Sequence, residues 1–274
     1  MNLTPLEPWV AHKVGTDPAR LTRAEIEAYQ LARLNETIRL ARAHSPFYRE
    51  HLAHTPARLS ALADLATLPF TTADDIRRAP MRFLCVSQSE VARVVTLRSS
   101  GTTGAPKRLF FSRADQELTL DFFHVGMSTF TRPGDRVLIL LPVERPGSVG
   151  DLLAAALRRM DAYGIRHGLV QTVSQALDAL LEGQANIVVG VPTQVLALAR
   201  AAEARNYSTP PIRAALLTMD HVPASIVRAL EAAWPCTVYN HYGMTEMGLG
   251  GGVDCEARRG YHLREADLYV EVVD

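Results

Sequence analysis

From Ser112 to Tyr239 the sequence alternates between helix-period and strand-length apolar segments joined by short connections. That alternation restricts the fold more than any other feature. Ser112 precedes a helical pattern carrying Leu118, Phe122, Val125 and Phe130, which Pro133-Gly134 ends, and a strand follows at 137–141. The series continues as helix 149–163 closed by Gly164, strand 165–170, helix 173–182 and strand 187–189. Helix 193–205, strand 214–217, helix 223–233 and strand 237–239 complete it. Parallel neighbours need a crossover of about a dozen residues, so this order predicts an α/β fold of layered, mostly parallel sheets flanked by helices.

The residues ahead of this region, about 1–90, read as a helical lead-in. Thr22 and Glu25 form a capping-box pattern for a helix over 21–43, with Ile26, Tyr29, Leu34, Ile38 and Ala41 on one face. It stops before Ser45-Pro46. A short helix starts at Thr71-Thr72, with Asp74 and Asp75 in the first turn where the helix dipole favours acids. The α/β region covers about 91–245. Beyond it, Tyr261 to Val273 alternates at Leu268, Val270 and Val272, which predicts a strand in a β-rich end over about 246–274.

Within the α/β region lies Arg98-Ser99-Ser100-Gly101-Thr102-Thr103-Gly104-Ala105-Pro106-Lys107. Its backbone N–H groups, four hydroxyls and one ammonium suit a polyphosphate. Lys13 and Lys107 are the only lysines among 29 basic residues, which marks Lys107 as chosen for a compact point charge. The stretch is not a Walker loop: Ala105 and Pro106 separate Gly104 from Lys107, and Arg108 takes the Ser/Thr position. Both flanks, Val94–Leu97 and Arg108–Phe111, read as strand, so the expected element is a hairpin closing over phosphates like a flap.

A second candidate site is Tyr239-Asn240-His241-Tyr242-Gly243-Met244-Thr245-Glu246, directly after a predicted strand. Ligand crevices in open α/β sheets lie beyond the carboxyl ends of strands. Tyr242 offers a flat face to a purine, Gly243 allows close backbone approach, Thr245 can reach a phosphate oxygen, and the Glu246 carboxylate suits Mg²⁺.

The bulk properties exclude several classes. Twenty-nine acidic residues balance 29 basic ones, so nothing in the charge points to nucleic acid or an anionic membrane. Apolar runs are strand-length, short of a membrane span. Three scattered cysteines, Cys85, Cys236 and Cys255, do not make a disulfide framework. With Pro5, Glu7 and Pro8 where a signal peptide needs an apolar run, the expectation is a cytoplasmic protein.

Together the two motifs resemble the adenylate-forming superfamily of acyl-CoA ligases, adenylation domains and luciferases, most closely the phenylacetate–CoA ligase group. Leu68-Pro69-Phe70-Thr71-Thr72-Ala73-Asp74-Asp75-Ile76-Arg77 is similar to that group's stretch before the loop, and Ser112-Arg113-Ala114-Asp115 to the one after it. Cys255 and Gly260-Tyr261-His262-Leu263-Arg264-Glu265-Ala266-Asp267 match a third element. The resemblance runs from about residue 40 onward. It implies the large N-terminal core of the fold and ATP-dependent activation of a carboxylic acid to an acyl-adenylate, with coenzyme A as acceptor. It further implies that Ser99, Ser100, Gly101, Thr102, Thr103, Gly104 and Lys107 embrace the β- and γ-phosphates. Asn240, Tyr242, Gly243, Met244 and Thr245 would line the ATP/AMP site, with Tyr242 on adenine and Thr245 at the α-phosphate. Glu246 would ligate Mg²⁺, and Lys107, Thr245 and Glu246 would be the catalytic groups.

Two departures stand against the resemblance. Where the family has small residues framing adenine, this chain has Thr218-Met219-Asp220-His221. The family also continues into a mobile C-terminal domain whose lysine bridges the acyl carboxylate and α-phosphate, and no lysine follows Lys107 in these 274 residues. The expectation is therefore a core weak or inactive alone: either the large N-terminal part of a longer ligase whose C-terminal domain is missing here, or a half-enzyme completed by a C-terminal domain or carrier partner in trans. The alternative is a non-catalytic nucleotide or acyl-adenylate binding protein. Cys255 and His262 read either as half of a zinc site or as a buried thiol and a surface imidazole. His124 reads as a core histidine, while His241 either lines an acyl pocket or simply packs. Gly147-Ser148-Val149-Gly150 resembles the family's acyl-pocket loop, and Phe122, Phe123, Val149 and Val191-Pro192-Thr193 are unranked pocket candidates. The acid itself and the oligomeric state, a homodimer included, are open.

Overall fold

The computed structural model describes residues 4–97, 106–205 and 211–273. Contacts divide the chain into two units, Met1–Trp9 with Gln116–Arg264, and Val10–Asp115 with Glu265–Asp274. The helices in chain order are α1 (Leu6–Val14), α2 (Arg23–His44), α3 (Pro46–His51), α4 (Ala73–Arg78), α5 (Arg113–Met127), α6 (Val149–Arg158), α7 (Val173–Glu182), α8 (Pro192–Ala204) and α9 (Ala224–Ala233). The strands are β1 (Val91–Leu97), β2 (Lys107–Ser112), β3 (Arg136–Leu140), β4 (Tyr163–Arg166), β5 (Ile187–Gly190), β6 (Ala214–Leu217), β7 (Thr237–Tyr242), β8 (Gly252–Asp254) and β9 (Tyr261–Leu263).

The larger unit is built on a seven-stranded sheet ordered β4-β3-β5-β6-β7-β8-β9. The first five strands are parallel, and β8 and β9 add antiparallel. Residues of one parity, Leu138, Leu140, Val188, Ala215, Leu217 and Val238, share a core with Leu177, Leu180, Leu198 and Leu230 of α7, α8 and α9. The opposite parity meets α6: a Cβ on Gly164 would stand 3.0 Å from Ile139 Cδ1 and 3.2 Å from Ala154 Cβ. Both faces being covered, the strands read as continuous apolar runs, and the predicted α/β layers are what forms.

That close contact also corrects two boundaries. Gly164 does not end a helix: α6 stops at Arg158, and Gly164 lies inside β4, which spans 163–166 instead of 165–170. Glycine occurs there because the strand passes against a helix.

In the smaller unit the reciprocal caps form where expected. Thr22 Oγ1 accepts the Glu25 N–H at 3.2 Å while Glu25 Oε2 accepts the Thr22 N–H at 2.8 Å. Thr72 and Asp75 repeat the device at α4, and Ser112 and Asp115 at α5. Ile26 and Ile38 of α2 are buried; so is Gln30, whose amide donates to the Glu265 carbonyl at 2.9 Å. A separate small core joins Ile38, Leu52 and Leu59. β1 and β2 pair antiparallel, with Leu97 opposite Lys107 at the mouth of the hairpin.

The expected strand from Tyr261 to Val273 is confined to Tyr261–Leu263. After Arg264, whose N–H still donates to the Gly251 carbonyl at 2.8 Å, the chain leaves the ladder. Arg23 pairs with Glu265, Lys13 with Asp267, and Gln30 holds the backbone at 265, so polar anchoring on two helices replaces strand pairing. Among the described residues no helix is long and apolar enough to cross a membrane.

Leu138 lies with no exposure in β3 between β4 and β5. Leu138→Ala is expected to cost about 2–5 kcal/mol by chemical denaturation. A cost near zero would show that this strand is not interior.

Candidate functional site

The carboxyl ends of β6 and β7 carry the second motif. The parallel register sets Leu217 opposite Asn240, after which the strands diverge: β6 enters the turn Thr218–His221, and β7 pairs with β8, His241 facing Val253 and Tyr242 facing Gly252. Asn240 donates its backbone N–H to the buried Asp254 carboxylate at 2.9 Å, while its own Oδ1 is buried without a partner.

Residues 243–251 form a tight loop closed on itself. The Leu249 N–H donates to the Met244 carbonyl at 3.0 Å and the Gly251 N–H to the Tyr242 carbonyl at 2.9 Å. Thr119 Oγ1 donates to the Gly248 carbonyl at 2.9 Å, with Gly248 in the left-handed region at φ +75°. A Cβ at Gly243 would lie 2.0 Å from the Leu249 carbonyl oxygen, and one at Gly250 would lie 2.3 Å from the Phe122 ring. Gly243 is thus demanded by the chain's own backbone, whatever ligand approaches it.

The loop presents its chemistry outward. Tyr242, Met244 and Glu246 are exposed and Thr245 is half-buried, on and beside the 3-10 turn Thr245–Met247. The Tyr242 ring stands 5.8 Å from that of Tyr261, tilted by 40°. On the neighbouring strand end Met219 is exposed, at φ +71°, and Asp220 accepts the His221 N–H at 2.7 Å. A flat ring, a hydroxyl and a carboxylate share one short segment. Among the described residues no group of three or more His, Cys, Asp or Glu side chains could hold a metal. The single Glu246 carboxylate fits Mg²⁺, which takes one or two carboxylates together with phosphate oxygens. Cys255 is buried just after β8, and His262, on β9, is opposite Val253; zinc there needs further ligands.

Lys107 belongs to the smaller unit, half-buried at the first position of β2. Ser99, Ser100, Gly101, Thr102, Thr103 and Gly104 lie outside the described residues.

Behind the β6 and β7 ends the larger unit holds a cavity with about 420 Å³ of empty space, solvent at its mouth included. α5 contributes Phe122, Phe123, Gly126 and Met127, and α6 contributes Val149 and Leu153. Leu141, Val189, Leu216, Thr218 and His241 from the strand ends, with Val253 of β8, complete it. It includes the gap between β3 and β5, where the strand order reverses, the usual crevice of such sheets. Phe122, Phe123 and Val149 line it as the sequence suggested. Val191, Pro192 and Thr193 do not; they form the start of α8. The Gly147–Gly150 segment serves as wall, its Gly147 N–H already donating to Asp151 at 2.8 Å. His124 is half-buried on α5.

Sequence reasoning missed a pair. His241 Nδ1 and Thr218 Oγ1 lie 2.8 Å apart, 23 residues apart in sequence but adjacent across the β6–β7 register. Part of the imidazole faces the cavity, yet Nε2 is covered and has no hydrogen-bond partner. Burial lowers the ring's pKa to about 4, so the imidazole is neutral at pH 7. The signal available beforehand was the register: two polar residues each one step beyond the last pair, Leu217 and Asn240.

Comparisons with known proteins bear on the family and the fold. The profile of the family described as AMP-binding enzyme matches residues 83–268. The chain is 27% identical over 259 residues to a phenylacetate-coenzyme A ligase of Pseudomonas putida, covering 91% of this chain and 58% of the relative. It is 27% identical over 266 residues to another of that name from Aromatoleum evansii, covering 93% and 59%. The chain thus spans less than two thirds of these relatives. A crystal structure of 2-hydroxyisobutyryl-CoA ligase with 2-HIB-AMP and CoA superposes with a TM-score of 0.77 at 23% identity, covering 88% of this chain and 54% of that one. Its open conformation gives 0.76 at 22%. At that identity the likeness shows the fold.

Two outcomes follow from the loop and the imidazole. Gly243→Ala is expected to cost about 1–3 kcal/mol and to remove hydrogen-exchange protection at the Leu249 and Gly251 amides. For His241 the unfolded chain binds a proton below about pH 6.5 and the folded chain only below about pH 4. Stability from this group is intact above pH 6.5 and lost as pH falls toward 4, by about 3 kcal/mol at most. Denaturation of the wild type and His241→Phe at pH 7 and pH 4.5 should show a smaller pH effect in the variant.

Proposed function

Because the chain belongs to the family of AMP-binding enzymes, we propose that it is the acid- and nucleotide-binding core of an ATP-dependent carboxylic acid–thiol ligase. In the first step a carboxylate oxygen attacks the α-phosphorus, the bond to the bridging oxygen of the β-phosphate breaks, and pyrophosphate leaves. In the second, a thiolate, that of coenzyme A in this reading, attacks the acyl carbon and AMP leaves. The observation that carries the reading is the placing of Tyr242, Thr245 and Glu246 on one loop at the carboxyl edge of a parallel sheet that also walls an apolar cavity.

Each residue's role follows from its chemistry. The Tyr242 face stacks on adenine, beside the Tyr261 ring of β9. Asn240, Gly243 and Met244 shape the base and ribose side of the site. Thr245 donates to an α-phosphate oxygen. Lys107 and the hydroxyl-rich segment before it neutralise the terminal phosphates, since nucleotidyl transfer depends chiefly on positioning and charge. Magnesium, held by Glu246, would supply charge neutralisation between phosphate oxygens. The apolar cavity receives the acid's hydrocarbon part, and relatives named for phenylacetate favour an aryl or medium-chain acid. A C-terminal domain or carrier partner would complete the transfer.

The second reading, a non-catalytic nucleotide or acyl-adenylate binder, draws on Met219, whose exposed side chain occupies the turn that would admit the base. Acid-dependent exchange of labelled pyrophosphate into ATP separates the two. Exchange is expected once the C-terminal domain of a related ligase is added. ATP binding without exchange under any condition favours the binder. Tyr242→Ala should weaken ATP binding by about tenfold to a hundredfold in calorimetric titration, and an unchanged affinity would remove Tyr242 from the site.

A further inference from the structure

Gly126 lies buried in the last turn of α5 and lines the cavity. Phe122 and Phe123, four and three residues before it, share its helix face and line the cavity too. Its φ is outside the left-handed region, so the backbone does not call for glycine. Packing does not call for it either. Apart from the backbone of its own helix, a Cβ at 126 would find one heavy atom within 4 Å, Val253 Cγ1 at 3.6 Å. That is an ordinary contact, and Val253 lines the same cavity. Among the described glycines outside the left-handed region, every other one would place a Cβ at 3.0 Å or less from a neighbour. Gly126 is the exception.

Glycine is less stable than alanine in a helix, and an unfilled space among buried side chains forfeits dispersion contacts. Neither loss brings the fold anything at this position. What the missing side chain leaves is room. The space that a methyl group would take belongs to the chamber between α5 and β8, where Val253 stands opposite. No charged side chain lines that chamber, so an uncharged hydrocarbon group suits it and a carboxylate stays at its mouth.

Resting on the proposed acid-activating role, we propose that Gly126 is a specificity-determining residue whose bare Cα sets the upper size of the acid. It admits a hydrocarbon part about one carbon longer than alanine at the same position would allow. Discrimination is steric. Below the limit each methylene gains affinity by leaving water; above it the chain has to displace close-packed side chains.

The test uses the full chain as wild type, Gly126→Ala and Gly126→Leu. The probes are the straight-chain acids from butanoate to decanoate, with benzoate, phenylacetate and 3-phenylpropanoate as an aryl series, each in calorimetric titration. Wild-type affinity is expected to rise about threefold to fourfold per methylene up to a limit. Gly126→Ala should lower that limit by about one carbon and Gly126→Leu by about three or four. Acids below the lowered limit should bind within about threefold of the wild type. The melting temperature of Gly126→Ala should stay level or rise by up to about 4 °C. A fall would mean that the fold itself needs glycine there, which overturns the inference. So does a limit unchanged in both variants, equal weakening of every acid, or no binding of any acid to the wild type. If Gly126→Leu fails to fold, Gly126→Ala decides alone. Pyrophosphate exchange with a size limit indifferent to residue 126 sinks this inference and leaves the ligase reading standing. A limit that moves with residue 126 on a chain that neither binds ATP nor exchanges does the reverse.

Discussion

Burial of β3, β5 and β6 on both faces is the constraint from which the site follows. With backbone groups spent on the ladder and side chains spent on two helical layers, these strands have no room for chemistry along their length. Reactive groups are left only at the ends, where strands pass into turns. At the carboxyl edge the turn after β6, the last residues of β7 and the loop that follows supply the polar groups of the cavity and the exposed ring, hydroxyl and carboxylate beside it. The apolar rigidity of the sheet is what holds Thr218 against His241.

The loop after β7 carries a second layer of constraint. Its geometry depends on absent atoms at 243 and 250, where a side chain would meet a carbonyl oxygen and an aromatic ring. Close packing of this kind limits how far Thr245 and Glu246 can wander from the strand that positions them. A ligand held by them, as proposed, would cost less ordering entropy than on a long free loop.

Much of this was legible in the sequence, and the failures have physical causes. Capping at Thr22 and Glu25 could be read because both partners lie within one turn. The alternation from Ser112 onward could be read because buried parallel strands leave long apolar runs. Gly164 was misjudged because its reason is tertiary, the pressure of Ala154 and Ile139 on a strand. The chain beyond Leu263 alternates like a strand but meets Gln30, Arg23 and Lys13 instead of a ladder partner. No local pattern foretells that. Gln30 was itself skipped as polar on an apolar face, and the Thr218–His241 contact emerges only once the register is known.

Arg264 is almost wholly buried, its guanidinium 5.4 Å over the Phe122 ring and its Nη2 donating to the Leu118 carbonyl at 3.1 Å. Phe122 in turn is a wall of the cavity and packs against Gly250. The arginine therefore fastens the end of β9 to the wall of the chamber behind the sheet. Without that guanidinium the ring would lose the cation over its face, and the Leu118 carbonyl a donor.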